Sequence, residues 1–548
     1  MCRRSLVALS FVALGLLTVV LCAASQPASR DTIDASQAPR RESLDASQTS
    51  SNEVFLEHAN GLYFDQEERA DAQLLVGDVI FTQQSSKMYC DSAYFFQGSN
   101  SFEAFGNVRM EQGDSLFVYG DYLYYDGNTL LAKLRNNVEM INGEVTLTTD
   151  SLDYDRRVGV GYYTTGGTIF DAQNILSSIY GEYNAQTKYA SFRRQVVLHN
   201  EQLDMSSDTL LYNTQTKVAS IVSATNIMTS DSIEIISSEG WYDTTTDFAK
   251  LYERSKISQK MRLLTGDSLT FDKRSQRGRA YGNIWMEDTT NKVILRGGYA
   301  YYDDLQKYSY ATDSAYTMEY SRGDTLFLHA DTLFYRAIND TLRHVDAYRG
   351  VRFYRSDLQG VCDSMHFSSA DTTLLLYNDP IVWHGRYQIS GDSLKVLFND
   401  STMRYAEVMG NAFSISNEEG EYYNQLKGLK MKIYFTDGQF SSIYVDGNTE
   451  TIYYPKDDST RIGHNYARSS YMSVSIKEGQ IDRMVMWPQA DGVMTPLSQI
   501  TAKDYKLKNF FWNVEARPRY KYDIFREVKV AVPSSSKRDT RSKFNEDE

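Results

Sequence analysis

Cysteine is scarce in this chain of 548 residues: there are four, and two of them, Cys2 and Cys22, lie in the first 25 positions. Only Cys90 and Cys362 remain in the body of the chain, with no CxxC and no Cys/His cluster, so nothing supports a zinc site. Excess positive charge is also missing. Lys and Arg number 57 against 71 Asp and Glu, for a formal net charge of -14. Such a chain repels polyphosphate, which argues against nucleic acid as a partner. The same repulsion acts on anionic lipid head groups, so a lipid ligand would have to be held by its acyl chains. Histidines are few, seven in all, and follow no pattern. Helical periodicity is absent beyond the first 25 residues.

Aromatic residues, in contrast, are abundant: 41 Tyr and 25 Phe. They favour pleated, half-buried surfaces. A hydrophobic content of 42% is too high for a chain disordered throughout.

Residues 1–25 have the three parts of an export signal: Arg3 and Arg4, an apolar run from Leu6 to Leu21, and small residues Ala23, Ala24 and Ser25. The run is short for a membrane span, so cleavage is expected, with an uncleaved inner-membrane anchor as the alternative. A lipidated Cys22 is disfavoured because Leu21 precedes it where a small residue is needed. Residues 26–52, rich in Ser, Ala, Gln and Asp, read as a flexible linker.

The body repeats itself. Asp150-Ser-Leu152-Asp-Tyr154 returns as Asp208-Thr-Leu210-Leu-Tyr212, Asp267-Ser-Leu269-Thr-Phe271 and Asp331-Thr-Leu333-Phe-Tyr335. Starting positions fall at Asn60, Asp91, Asp121, Asp150, Ile179, Asp208, Ser238, Asp267, Gly298, Asp331, Asp363 and Asp392, about 30 residues apart. The apolar residues two and four places on share parity, so in a strand they share a face. Leu152 and Tyr154 point to a dry side, Ser151, Asp153 and Asp155 to a wet one. Half a period later comes a second mark, as in Gly106-Asn107-Val108, Asn136-Asn137-Val138, Gly282-Asn283-Ile284 and Gly410-Asn411-Ala412, read as a tight turn leading into a second strand. Each unit then supplies at least two strands, and stacked units bury one continuous apolar row. The fold class expected is all-β: an elongated array of about 12 units. Cys90 and Cys362, nine units apart, would be too distant for a disulfide, which needs Cα atoms within about 7 Å.

The Asp-Ser-Leu-x-Tyr-Asp phrase, alternating with Gly-Asn-Val, resembles the OstA-like domain of LptA-type lipopolysaccharide transport proteins. The likeness spans about residues 53–512 and includes Val445–Tyr454, Ile481–Met484 and Lys506–Trp512. The long form looks like the OstA-like proteins of Bacteroidota, with about twice the repeats of the short LptA form and no room for the C-terminal barrel of LptD. The resemblance implies an open β-jellyroll in the periplasm that binds the acyl chains of lipid A and bridges the two membranes, alone or as a homo-oligomer. It also implies other transport components docked at the array ends by strand addition, no cofactor and no catalysis. On this reading the groove candidates are Leu123, Tyr125, Leu152, Tyr154, Leu210, Tyr212, Leu269, Phe271, Leu333, Tyr335 and Leu394. The array divides at 53–270, 271–440 and 441–515, followed by a charged tail at 516–548 that reads as solvated.

Other readings are weaker. Gly-Asp-Ser-Leu occurs at Gly113, Gly266 and Gly391 and also labels a family of serine esterases. Here the serine is a repeat position, replaced by Thr209 and Thr332, with no matching histidine pattern. Calcium-binding β-rolls need a nine-residue glycine-dense repeat, so the aspartates are better read as capping turns. No carboxylate pair stands out for glycoside chemistry. A structural or adhesive β-solenoid without lipid cargo remains the alternative of a different class.

Overall fold

The computed structural model describes residues 52–528 apart from 65–68, 304, 321–323, 339–341, 400–401, 458–459, 478–479 and 502–503. The expected export signal, residues 26–51 of the linker and residues 529–548 of the tail lie outside them. Among the described residues the chain is antiparallel β-strand with three 3-10 turns and no α-helix, so the all-β class holds. The strands group into two compact units. One holds the described residues up to Lys260 together with Ser268–Gln276; the other holds Met261–Asp267 and the residues from Arg277 onward.

The first unit opens with two short strands, β1 (Phe55–His58) and β2 (Gly61–Tyr63), then long ones: β3 (Gln73–Gln83), β4 (Ser86–Phe96), β5 (Ser101–Gln112), β6 (Leu116–Asp126), β7 (Leu131–Asn142) and β8 (Val145–Asp155). Each long strand belongs to two walls. In β6, Leu116 and Val118 are buried before Asp121, and Leu123 and Tyr125 after it, so the inward parity switches at the middle of the strand. Pairing switches with it: Val145–Thr149 of β8 pairs with Gly167–Asp171, and Asp153–Asp155 with Val160–Tyr162. The walls face each other, because Phe81 of β3 stacks on Phe102 of β5 at 4.0 Å although these strands do not pair. Each repeat is therefore a hairpin of two bent strands, and its dry face lies between the walls.

The bend has a definite chemistry. In β5, Gly106 and Asn107 have φ of +76° and +45°, and the register with β6 slips between Phe105 and Val108. Two successive left-handed residues add one residue to a strand and kink it without reversing it. The Gly-Asn marks, expected as turns between strands, are thus corners inside strands. The reversals lie elsewhere, at Gln84–Ser85, Gly113–Ser115 and Gly143–Glu144. The repeated aspartate holds the corner. Asn107 donates to Asp91 at 2.8 Å and Asn137 to Asp121 at 2.6 Å. In the second unit Asn283 donates to Asp267 at 2.7 Å and Asn411 to Asp392 at 2.9 Å. Asp331 accepts from Arg349 instead, at 3.2 Å. In these repeats the two sequence marks are one clasp, built by adjacent strands. Gly106 must lack a side chain, since a Cβ there would lie 2.4 Å from the Asp91 carboxylate.

Candidate functional site

The interior between the walls is the space that could take a guest; in the first unit the repeat side chains fill it, and a cavity of about 520 Å³ opens beside the seam among polar residues such as Asn174, Lys217, Thr244 and Lys273. Leu123, Tyr125, Leu152, Tyr154, Leu210, Tyr212 and Leu269 are at most 1% exposed, and Phe271 is 5%. The edge opposite the corners, where the hairpins turn, is a seam, and tyrosines close it. Tyr154 donates to Gln112 at 3.0 Å across the walls, Asn142 donates to Tyr183 at 3.1 Å, and Tyr212 donates to Asp171 at 2.7 Å. Tyr125 makes the equivalent bond to Gln83, and the buried Arg156 bonds both. The spacing is 42, 42, 41 and 41 residues, so each tyrosine reaches the amide or carboxylate at the seam end of an earlier strand. Lys217 pairs with the fully buried Asp171 and completes that link. Burial pushes the Tyr154 phenol up to about 12, and burial together with the Asp171 carboxylate pushes Tyr212 up further, so both stay neutral donors.

The second unit differs. Leu333, Tyr335 and Leu394 are also buried, and the void beside Leu333 and Tyr335 is only about 10 Å³. That is room for one water at most. All eleven side chains singled out from the sequence therefore face the interior, and all are packed. Beyond them, among Tyr423–Thr436, Gln439–Tyr453 and His464–Lys477, the strands lengthen and the walls enclose a cavity of about 390 Å³. This lies within the roughly 300–1,000 Å³ of small-molecule sites. Ile443, Val474, Ile476, Ile481 and Met484 form an apolar face on one wall, Ile452 lies on the other, and Ser414, Ser416, Asn424, Gln425 and Thr451 add polar lining. Arg386 and Lys456 also line it and share one carboxylate, Glu418, at 3.3 and 3.4 Å. The site thus joins an apolar surface to two cations held by one anion. Sequence reasoning stopped at Leu394 and missed these residues. The parity of Ile443 with Val445, and of Ile452 with Tyr454, was the signal available.

Other chemistry is thin. Among the described residues no three His, Cys, Asp or Glu side chains gather as a metal site. Cys90 and Cys362 are free and buried; desolvation pushes the Cys90 thiol up to about 12 and the Cys362 thiol higher still. The Gly-Asp-Ser-Leu strings mark no common site. Asp114 lies in a hairpin turn, whereas Asp267 and Asp392 are corner clasps.

Residues 51–208 match the family described as OstA-like protein. This stretch includes the long bent strands β3–β8 and the seam residues up to Tyr183; Tyr212 and Lys217 lie beyond it. No curated protein matches the chain.

Proposed function

We propose that this chain is a periplasmic lipopolysaccharide-binding transport protein of the OstA/LptA type, and that the cavity of the second unit receives lipid A acyl chains. The observation that carries this reading is the cavity itself, which Ile443, Ile452, Ile476, Ile481 and Met484 line together with Arg386 and Lys456. Burying acyl chain gains about 0.8 kcal/mol per methylene. A few chains offset the repulsion between an anionic head group and a chain of net charge -14. The two cations supply a local counter-charge for a phosphate. The OstA-like match over residues 51–208 and the signal-like pattern of residues 1–25 favour the compartment, and partners would add strands at the array ends.

A second reading, a structural envelope protein without cargo, is favoured by one observation: the eleven interior side chains of the repeat are buried and packed. Mass spectrometry of the organic extract from purified protein separates the two. Lipid A should be recovered with the wild-type chain and lost with Ile481→Arg, which places a charge on the apolar side. A lipid-free wild-type extract favours the structural reading.

A further inference from the structure

The seam of the second unit is closed by a different device. Its polar positions, Gln359, Gln388 and Gln425, do not meet inward tyrosines. They bond the backbone and side chains of a C-terminal strap, Asp504–Val528. Gln425 donates to the Tyr505 carbonyl at 2.7 Å and accepts from the Leu507 N–H at 2.8 Å. Gln388 donates to the Phe511 carbonyl at 2.6 Å and accepts from the Asn513 N–H at 2.9 Å. Gln359 accepts from Arg517 at 2.7 Å, and the buried Arg352 donates to the Ala516 carbonyl at 3.0 Å. The strap adds no strand to the sheet among the described residues. Its main chain is held by side chains.

Its apolar residues fill the seam. Leu507 packs with Phe413, Ile415, Ile452 and Tyr454. Ala516, fully buried, packs with Val361, Ile381 and Trp383. Phe525 lies 5.1 Å from Tyr316 and 4.7 Å from His329. Residues 516–528, expected as part of a solvated tail, are therefore tied into the fold, because Ala516, Asp523 and Ile524 are all buried. Arg526, one of the tail's charged residues, is spent on Asp523 at 2.6 Å. The strap also borders the cavity, since Gln425, Ile452 and Tyr454 line it and contact the strap as well.

The geometry points to a gate: the strap occupies the seam in place of cargo, and lipid enters the second unit by displacing it. The inference rests on the lipid-carrier reading and adds how access to that site is controlled. Two features suit a segment that leaves and returns. Side-chain amides bond a main chain whatever its sequence, and can equally bond the amide and phosphate oxygens of an acylated amino-sugar lipid. The bonds also come from a few separate side chains, Gln425, Gln388, Gln359 and Arg352, and do not form a continuous sheet ladder.

Two measurements test it on the full chain. The variant Leu507→Ser/Ala516→Arg weakens the strap and replaces none of the cavity-lining residues. It should take up fluorophore-labelled lipopolysaccharide on the order of tenfold faster than wild type, the factor that ~1.4 kcal/mol of lost anchoring represents. Hydrogen exchange on the wild type covers the case of a variant that fails to fold. Adding lipopolysaccharide should strip protection from the Leu507 and Asn513 amides. Uptake by the wild type with those amides still protected, or equal uptake rates in a folded variant, overturns the gate and leaves the carrier reading standing. No uptake by either protein overturns both.

Discussion

Asn137 shows how much of this fold rests on single side chains. It holds φ at +52° and donates to Asp121 at 2.6 Å, so it serves the corner by backbone and by side chain at once. Asn137→Ala forfeits both and should cost about 2 kcal/mol. Asn137→Gly keeps the backbone and should cost clearly less; urea unfolding of the two variants checks the order. The aromatic–glycine pairs work in the opposite sense. The Tyr163 ring covers Gly181, its partner across the ladder, and a Cβ on Gly181 would come within 2.1 Å of it. Gly181→Ala should destabilise by ~1–3 kcal/mol through overpacking, seen as a lower unfolding midpoint. Cys90 and Cys362 are buried with raised thiol pKa values. Thiolate is the reactive form, so at pH 8 both should resist iodoacetamide in the native protein and react fully in denaturant.

At the scale of the strand, parity decides what matters. Met140 of β7 is 1% exposed, and Glu139 beside it faces out. Met140→Ala should cost about 2–5 kcal/mol and Glu139→Ala within about 0.5 kcal/mol, compared by denaturant titration. This alternation was legible in the sequence, because the two-residue period is a local property. Leu152 and Tyr154 face inward as their spacing requires, whereas the repeated aspartate, expected to cap a turn of its own, accepts from a side chain at the corner of the adjacent strand. The corner was not legible as a corner. Gly106-Asn107 has the composition of a hairpin turn, and only the partner strand's register shows that the chain continues through it. The short turns that do reverse the chain, such as Gln84–Ser85, carry weaker marks.

Taken as a whole, what escaped the sequence was what depends on distant pairs. Gln425 and Leu507 are 82 residues apart, and nothing near either announces their bond. The charge-rich composition of residues 516–548 suggests solvation, yet Ala516 and Ile524 are buried, because the seam offers apolar surface that no neighbouring hairpin covers. Wall separation is likewise a long-range quantity. Inward parity gave eleven candidate residues that prove to be packed, whereas an apolar-lined cavity opens among Ile443, Ile481 and Met484. The lipid-carrier account therefore turns on those residues. A photo-reactive amino acid placed at Ile443, Ile481 or Met484 in cells is the direct measurement. The account predicts cross-links to lipopolysaccharide from these positions and none from outward-facing Tyr444; labelling that is absent from all three, or no stronger than from Tyr444, would contradict it.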